Sequence, residues 1–230
     1  MRVEQQHAFV LHARPYRETS LLVECLSRDH GRLGVVARGV RNERARSQRA
    51  QLEPFQALAL DLILKGELAT LRSAEPIGTP LRLTGDAGLA GLYLNELVVR
   101  LTGRQDPNPE LFDHYERTLR RMAAGEPLAW TLRRFERDML DALGYALQVD
   151  VDALDGEPLD PGATYFYDPE SGALPGRPGD PRALRGSDLL ALANDVPPDA
   201  AGLSALRRMM RQVITFHLGG SELKAWRVLR

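Results

Sequence analysis

The chain has 230 residues, 43% hydrophobic and 27% charged, and a formal net charge of −1. That length can bury a sizeable core, as one large domain or two small ones. The longest charge-free runs, Ala87–Asn95 and Gln212–Ser221, are far shorter than the ~20 apolar residues of a spanning helix, which argues against a membrane protein. Residues Met1 to Val10 lack a basic-then-apolar leader pattern, and the single Cys25 excludes a disulfide scaffold or an all-thiolate metal site. A cytosolic chain is the expectation.

The charge becomes informative once it is divided along the chain. Residues 1–80 carry 12 basic and 9 acidic side chains and 81–149 carry 9 and 10. Residues 150–202 carry 3 and 11, a net −8, and residues 203–230 carry 6 and 1, a net +5. Two basic regions and one strongly acidic one point to a polyanionic partner. Lys65 and Lys224 are the two lysines; the other 28 of the 30 basic residues are arginine.

Residues 1–80 read as a small β domain. His7–His12, Ser20–Leu26, Leu33–Ala37, Phe55–Leu64 and Leu68–Arg72 are short apolar or alternating runs. Leu58, Leu60, Leu62 and Leu64 fall on one face of a strand, as a half-buried sheet requires. Turns at Arg28-Asp29-His30-Gly31 and Lys65-Gly66-Glu67 separate the runs. Five short strands fit a closed OB-type barrel, with a small sandwich or SH3-like barrel as the alternative.

From Thr84 the period turns helical. Leu94, Leu97, Val98 and Leu101 make one apolar face. Asn108-Pro109 starts the next helix, which presents Leu111, Tyr115, Leu119 and Met122. A third begins near Pro127 and turns Leu128, Leu132, Phe135, Met139 and Leu143 inward before Gly144. Residues 147–186, rich in proline, glycine and acid, predict little regular structure. Ser187 is placed to cap a short helix to Asn194. A longer one, Leu203 to Leu218, buries Leu206, Met210, Val213 and His217 and exposes Arg207, Arg208 and Arg211.

Catalytic signals are sparse. No phosphate-binding glycine loop occurs, which argues against nucleotide hydrolysis by the usual machinery. The five histidines are scattered, and Cys25 in an apolar strand reads as an inert buried thiol. Asp150, Asp152, Asp155, Glu157 and Asp160 offer hard oxygen ligands, but their spacing fits no EF-hand and suits a solvated acidic loop. No metal site or cofactor is expected.

The strongest local signal is the run from Arg38 to Arg49. It sets Arg38, Arg41, Arg44, Arg46 and Arg49 against Glu43. Such a loop can order against a phosphodiester backbone, releasing counterions; by charge alone it serves equally as a solvated surface loop. Arg14, Arg17 and Arg32 on neighbouring loops tip the reading towards binding. Tyr16, in a polar context, is the aromatic placed to meet a base, whereas Phe9 and Phe55 read as core.

These segments resemble a known family. His7-Ala8-Phe9-Val10-Leu11, Arg14 through Leu22, His30-Gly31-Arg32, Ala37-Arg38-Gly39-Val40-Arg41 and Leu52-Glu53-Pro54-Phe55 are similar to the N-terminal domain of RecO, a bacterial recombination mediator. Tyr93 through Leu97 and Phe135 through Tyr145 resemble its helical signatures, so the similarity runs in order over nearly the whole chain. Many members carry a four-cysteine zinc element after the Leu-Gly-Tyr motif. Here the corresponding pairs are Asp152/Asp155 and Pro175/Pro178, which cannot hold zinc tetrahedrally. No structural zinc is expected, and packing by Tyr165-Phe166-Tyr167 must hold that lobe instead.

The resemblance implies an α+β multi-domain chain. It comprises an OB-fold barrel over 1–80, a helical domain over 81–146, a finger-like lobe without cysteine ligands over 147–186, and helices over 187–230 that complete the helical domain. It also implies a non-enzymatic, nucleoid-associated cytoplasmic protein. Such a protein binds single- and double-stranded DNA, anneals complementary strands and helps load recombinase onto DNA coated by single-strand binding protein (SSB). Expected partners are RecR and the acidic C-terminal tail of SSB. Two surfaces are candidates for that tail or for a second strand: Arg133, Arg134 and Arg137 on one helix, and the C-terminal basic face of Arg207, Arg208, Arg211, Lys224, Arg227 and Arg230. The alternatives are a metal-dependent nuclease using the acidic lobe, or a protein-interaction adaptor without DNA contact.

Overall fold

The alternation of the first 76 residues forms five strands: β1 (Arg2–Tyr16), β2 (Ser20–Ser27), β3 (Gly31–Ala37), β4 (Ala57–Lys65) and β5 (Leu68–Pro76). In the computed structural model, which describes residues 1–42 and 45–228, they close into a barrel in the order β1-β2-β3-β5-β4, and β4 pairs back onto β1. Three pairs, Gly34 with Leu68, Val35 with Ala69 and Val36 with Thr70, form its one parallel ladder. A short helix, α1 (Arg46–Gln51), occupies the β3–β4 connection, completing the OB arrangement. Leu58, Leu60 and Leu62 are fully buried inside with Val10, Val23, Leu33 and Val35, while Leu64 at the strand end is half-buried. Each buried leucine contributes about 1.5–3 kcal/mol relative to exposure, so a one-residue slip that turned all three outward would be prohibitive. Cys25 is buried among them and its thiol is pushed up to about 12 by loss of solvent, which leaves it inert.

Two helices pack on this barrel, α2 (Gly85–Leu101) and α3 (Pro109–Ala123). Asn108 caps α3 by accepting the Leu111 N–H at 2.9 Å, with Pro109 at the first helical position. Phe9, on the outer face of β1, lies 5.4 Å from the rings of both Phe112 and Tyr115. Asn95 joins all three elements: its side-chain amide donates to the Leu11 carbonyl at 2.7 Å and accepts the Tyr115 hydroxyl at 2.6 Å. Burial at Asn95 and Tyr115 is nearly complete, so these bonds are made without competition from water. The chain returns to this unit at Leu223, where the backbone N–H groups of Lys224 and Ala225, opening a 3-10 helix, each donate to the Glu96 carboxylate at 2.8 Å.

The sequence reading placed residues 81–146 in one helical domain; packing divides them. Residues to Gly125 group with the barrel, and Glu126–Glu222 form a second compact unit. The reason is that the buried faces of α2 and α3 find their apolar partners on β1. The barrel unit holds 21 basic and 15 acidic side chains, net +6, and the second unit 9 and 16, net −7.

The second unit contains α4 (Leu128–Ala142), a sheet of β6 (Thr164–Asp168), β7 (Gly172–Pro175) and β8 (Leu184–Arg185) in the order β7-β6-β8, then α5 (Gly186–Ala193) and α6 (Ala200–His217). The sheet corrects the expectation of sparse regular structure. Tyr165 and Tyr167 alternate inward with Ala173 and Leu184 into a core with Trp130, Leu189, Leu206 and Met210. Alternation through Thr164-Tyr165-Phe166-Tyr167-Asp168 outweighs the flanking prolines. Ser187 lies inside α5, which starts at Gly186 without a side-chain cap. His217 is half-buried rather than core, stacked 4.3 Å from Tyr145.

The acidic lobe is built from turns that its own carboxylates close. Asp152 accepts the Leu154 N–H at 2.8 Å, Asp155 that of Glu157 at 3.0 Å, Asp160 that of Gly162 at 2.8 Å and Asp168 those of Glu170 and Ser171 at 3.0 and 2.8 Å. These are Asx turns, which need an Asp or Asn side chain two residues before the donor. Among the described residues no three His, Cys, Asp or Glu side chains group to hold a metal.

Two predictions follow from these contacts. Asn95→Ala removes a buried bond and strands the Leu11 carbonyl and Tyr115 hydroxyl, and should cost about 2–4 kcal/mol in urea unfolding; an unchanged midpoint would show that the bridge is dispensable. Arg185 donates to both Asp188 and Asp199 at 2.7 Å, and the guanidinium together with the Gly202 N–H holds the Asp199 carboxyl down at about 2. A carboxyl so lowered favours the fold above the unfolded carboxylate range and loses that contribution as pH falls towards 2. Arg185→Ala should therefore move acid unfolding, followed by circular dichroism, to higher pH; no movement would refute the linkage.

Candidate nucleic-acid interface

Strand pairing sets the first part of the site. The β1–β2 ladder continues through Arg14 with Leu22 to Tyr16 with Ser20, so Arg14 and Tyr16 sit on a strand rather than on the expected loop. Ala13 packs into the barrel interior, and the two-residue period therefore turns Arg14 and Tyr16 outward. Arg17, in the turn, adopts a left-handed φ of +53° and lays its guanidinium over the Tyr16 ring at 5.3 Å from the centroid. That backbone geometry is costly for a residue with a Cβ, and Arg41 holds it from outside the turn. The Arg41 guanidinium donates to the carbonyls of Arg17 and Glu18 at 3.1 and 3.0 Å, and its backbone N–H donates to Thr19 at 3.0 Å.

The second part is the connection leaving β3. Gly39, at φ +73°, lets the chain turn sharply away from the barrel, and successive turns at Asn42 and Ala45 lead into α1. No side chain of α1 is buried, so Arg46 and Arg49 stand in solvent. Together with Arg41 and Asn42 they line a cleft of about 450 Å³. Arg14, Arg17, Arg38, Arg41, Arg46 and Arg49 are all exposed and form no carboxylate pair among the described residues. Arg41 spends hydrogen bonds on carbonyls, which leaves its charge uncompensated. Arg44 lies outside the described residues, as does Arg230.

Arg32 departs from expectation. It is a strand residue whose guanidinium pairs with Glu24 at 3.1 Å and donates to the Thr102 hydroxyl and carbonyl at 3.2 and 2.8 Å. With 13% of the side chain exposed and Arg104 also on Glu24, it ties the barrel to the end of α2 and offers nothing to a ligand. The arginines of α4 are likewise committed within their unit. Arg133 is buried and paired with the fully buried Glu136. Arg134 pairs with Asp195 at 2.5 Å, and Arg137 pairs with Asp138 and donates to the Leu192 carbonyl at 2.6 Å. Helical periodicity treats arginine as solvent-facing, whereas Arg133 and Arg137 pair with Glu136 and Asp138 on α4 itself, and Arg134 and Arg137 also meet Asp195 beyond the end of α5. On α6, Arg207 and Arg208 are exposed and Arg211 pairs with Glu222 at 3.1 Å. Lys224 and Arg227 belong to the barrel unit, so the expected C-terminal basic face is divided between two units.

Sequence reasoning missed Asn42 in the cleft and Arg72, an exposed residue of β5 without a carboxylate pair among the described residues. The signal for Arg72 was its alternation with Ala69 and Leu71, which pack inside the barrel. A prediction follows for Arg41. Its replacement by alanine should raise amide hydrogen exchange across residues 17–20 and 38–42 while β4 stays protected; unchanged exchange would mean the turn holds itself.

The family model described as Recombination protein O N terminal matches residues 1–80, and that described as Recombination protein O C terminal matches residues 82–227. A protein named DNA repair protein RecO from Stenotrophomonas maltophilia (strain R551-3) is 52% identical over 233 residues, covering 100% of this chain and 97% of its own length. One of the same name from Xanthomonas euvesicatoria pv. vesicatoria is 49% identical over 234 residues with the same coverage, and one from Xanthomonas campestris pv. campestris (strain B100) is 47% identical. No helix among the described residues is long and apolar enough to cross a membrane. Matched from end to end, the chain belongs to the RecO family, with a role in DNA repair and recombination.

Proposed function

We propose that this protein binds single- and double-stranded DNA on the end of its barrel, anneals complementary strands and helps load recombinase onto SSB-coated DNA. One observation carries the reading: six exposed arginines without carboxylate partners among the described residues gather on two segments that Arg41 stitches together. Uncompensated guanidinium groups at close range repel one another, and phosphate relieves that repulsion while releasing counterions. Tyr16 adds a ring on which a base can stack. The net −7 of the second unit disfavours DNA there and confines it to the barrel unit.

Annealing requires two polyanions to be held together, and a surface that neutralises one strand lowers the repulsion felt by its complement. RecR and the acidic SSB tail are the partners the family relationship suggests, at the nucleoid in the cytoplasm. Arg207 and Arg208 are exposed on α6, which also exposes Phe216, and guanidinium groups on a helix that exposes an aromatic suit an acidic tail ending in an aromatic ring. The reading assigns no bond-breaking step to the chain. Asp152, Asp155 and Asp160 of the acidic lobe each accept a backbone N–H in closing turns.

Salt dependence tests this. Replacing Arg38, Arg46 and Arg49 together by alanine should reduce the slope of log affinity against log salt by about 2 for a single strand and nearly 3 for a duplex, and slow annealing of complementary oligonucleotides. Binding insensitive to salt would favour the adaptor, and scission of labelled DNA with magnesium or manganese would favour the nuclease.

A further inference from the structure

The barrel register aligns more than the arginines of the two loops. Tyr16 pairs with Ser20, at the start of β2, and Leu21 pairs with Ala37, at the end of β3. Val36 runs beside Thr70 in the parallel β3–β5 ladder. Two residues on come Arg38, just past the end of β3, and Arg72, in the bulge of β5 where Asp61 pairs with Ser73 and Leu62 with Leu71, both exposed. Ala69, Leu71 and Ala74 pack inward, which leaves Arg72 and Ser73 of the bulge on the outer surface with Arg14 and Tyr16 of β1. Helix α1, with Arg46 and Arg49, packs against β5. Three strand spacings, about 14 Å, separate β1 from β5 across this face.

We infer that Arg72 is a phosphate contact and that a single DNA strand crosses the barrel face at right angles to the strands, from Tyr16 on β1 over Arg38 to Arg72 on β5. Two features favour a single strand. The one aromatic on the row, Tyr16, can stack only an unpaired base, and a positively charged track beside an aromatic is how a single strand is held without sequence preference. Arg72 forms no carboxylate pair among the described residues, in contrast to Arg32 and Arg28 on the same barrel, which pair with Glu24 and Asp113. It therefore meets phosphate with its full charge. The inference rests on the DNA-binding reading above and extends it to a strand that the basic run does not include.

The test is a salt titration of the full chain with a fluorescent oligothymidylate, comparing the parent with Arg72→Ala, Arg72→Lys, Arg38→Ala and Arg82→Ala. Arg82 is an exposed arginine outside the row. Arg72→Ala should lower the salt slope by about 0.7 and weaken binding about fivefold at about 0.1 M salt, the counterion release of one phosphate. Arg72→Lys should restore the slope, and Arg82→Ala should match the parent. A normal slope for Arg72→Ala beside a lowered one for Arg38→Ala overturns the crossing path while leaving the DNA site intact. A reduced slope that lysine fails to restore also overturns it, since charge would not be what was lost. Parent-like slopes for both Arg38→Ala and Arg72→Ala would overturn the DNA-binding reading itself.

Discussion

Closure of the barrel by the short parallel ladder between β3 and β5 is the constraint on which the site depends. Because β5 takes the place beside β3, the chain leaving Ala37 cannot turn straight into β4 as a hairpin. It must leave the sheet, run through Arg38 to Gln56 and re-enter on the far side of β5. That excursion carries the arginine-rich segment and α1 away from the core, where no acidic partner is available among the described residues. The leucines of β4 hold the closed form in place, so the exposure of the arginines is a consequence of apolar packing on the other side of the same sheet.

The arginines of this chain have two fates, and position in the fold separates them. Arg28, Arg32, Arg104, Arg134, Arg137 and Arg185 each meet a carboxylate and tie one element to another, and Arg133 meets one within its own helix. Among these, the Arg133–Glu136 pair lies in the interior, where losing either partner would leave an uncompensated charge. Arg14, Arg17, Arg38, Arg41, Arg46 and Arg49 at the barrel end meet none among the described residues. A net +6 on one unit and −7 on the other amounts to an overall −1 that conceals two units of opposite charge.

The lobe after α4 illustrates a different substitution of chemistry. Where many family members place thiolates around zinc, this chain has aspartates whose carboxylates accept backbone N–H groups two and three residues on. Each turn is thereby closed locally, and the assembly of turns is held by Tyr165 and Tyr167 packing into the helices. Acidity there serves the fold.

How much was legible in the sequence depends on the range of the interaction. The barrel strands, the Asn108 cap, the apolar face of α3, the basic run and the family resemblance were all readable, because alternation, helical spacing, capping and motif order are properties of neighbouring residues. The fates of Arg32 and of Arg134 were not. Thr102 lies 70 residues from Arg32, and Asp195 lies 61 from Arg134, and no local pattern announces such pairs. Arg72 was hidden for the same reason, since the parallel β3–β5 pairing that brings its strand beside the end of β3 joins segments more than 30 residues apart. The sequence by itself determined which segments form strands and helices and where positive charge is concentrated along the chain. Only the tertiary structure decided which of those charges remain uncompensated, because neutralisation depends on distances through space that chain order does not encode.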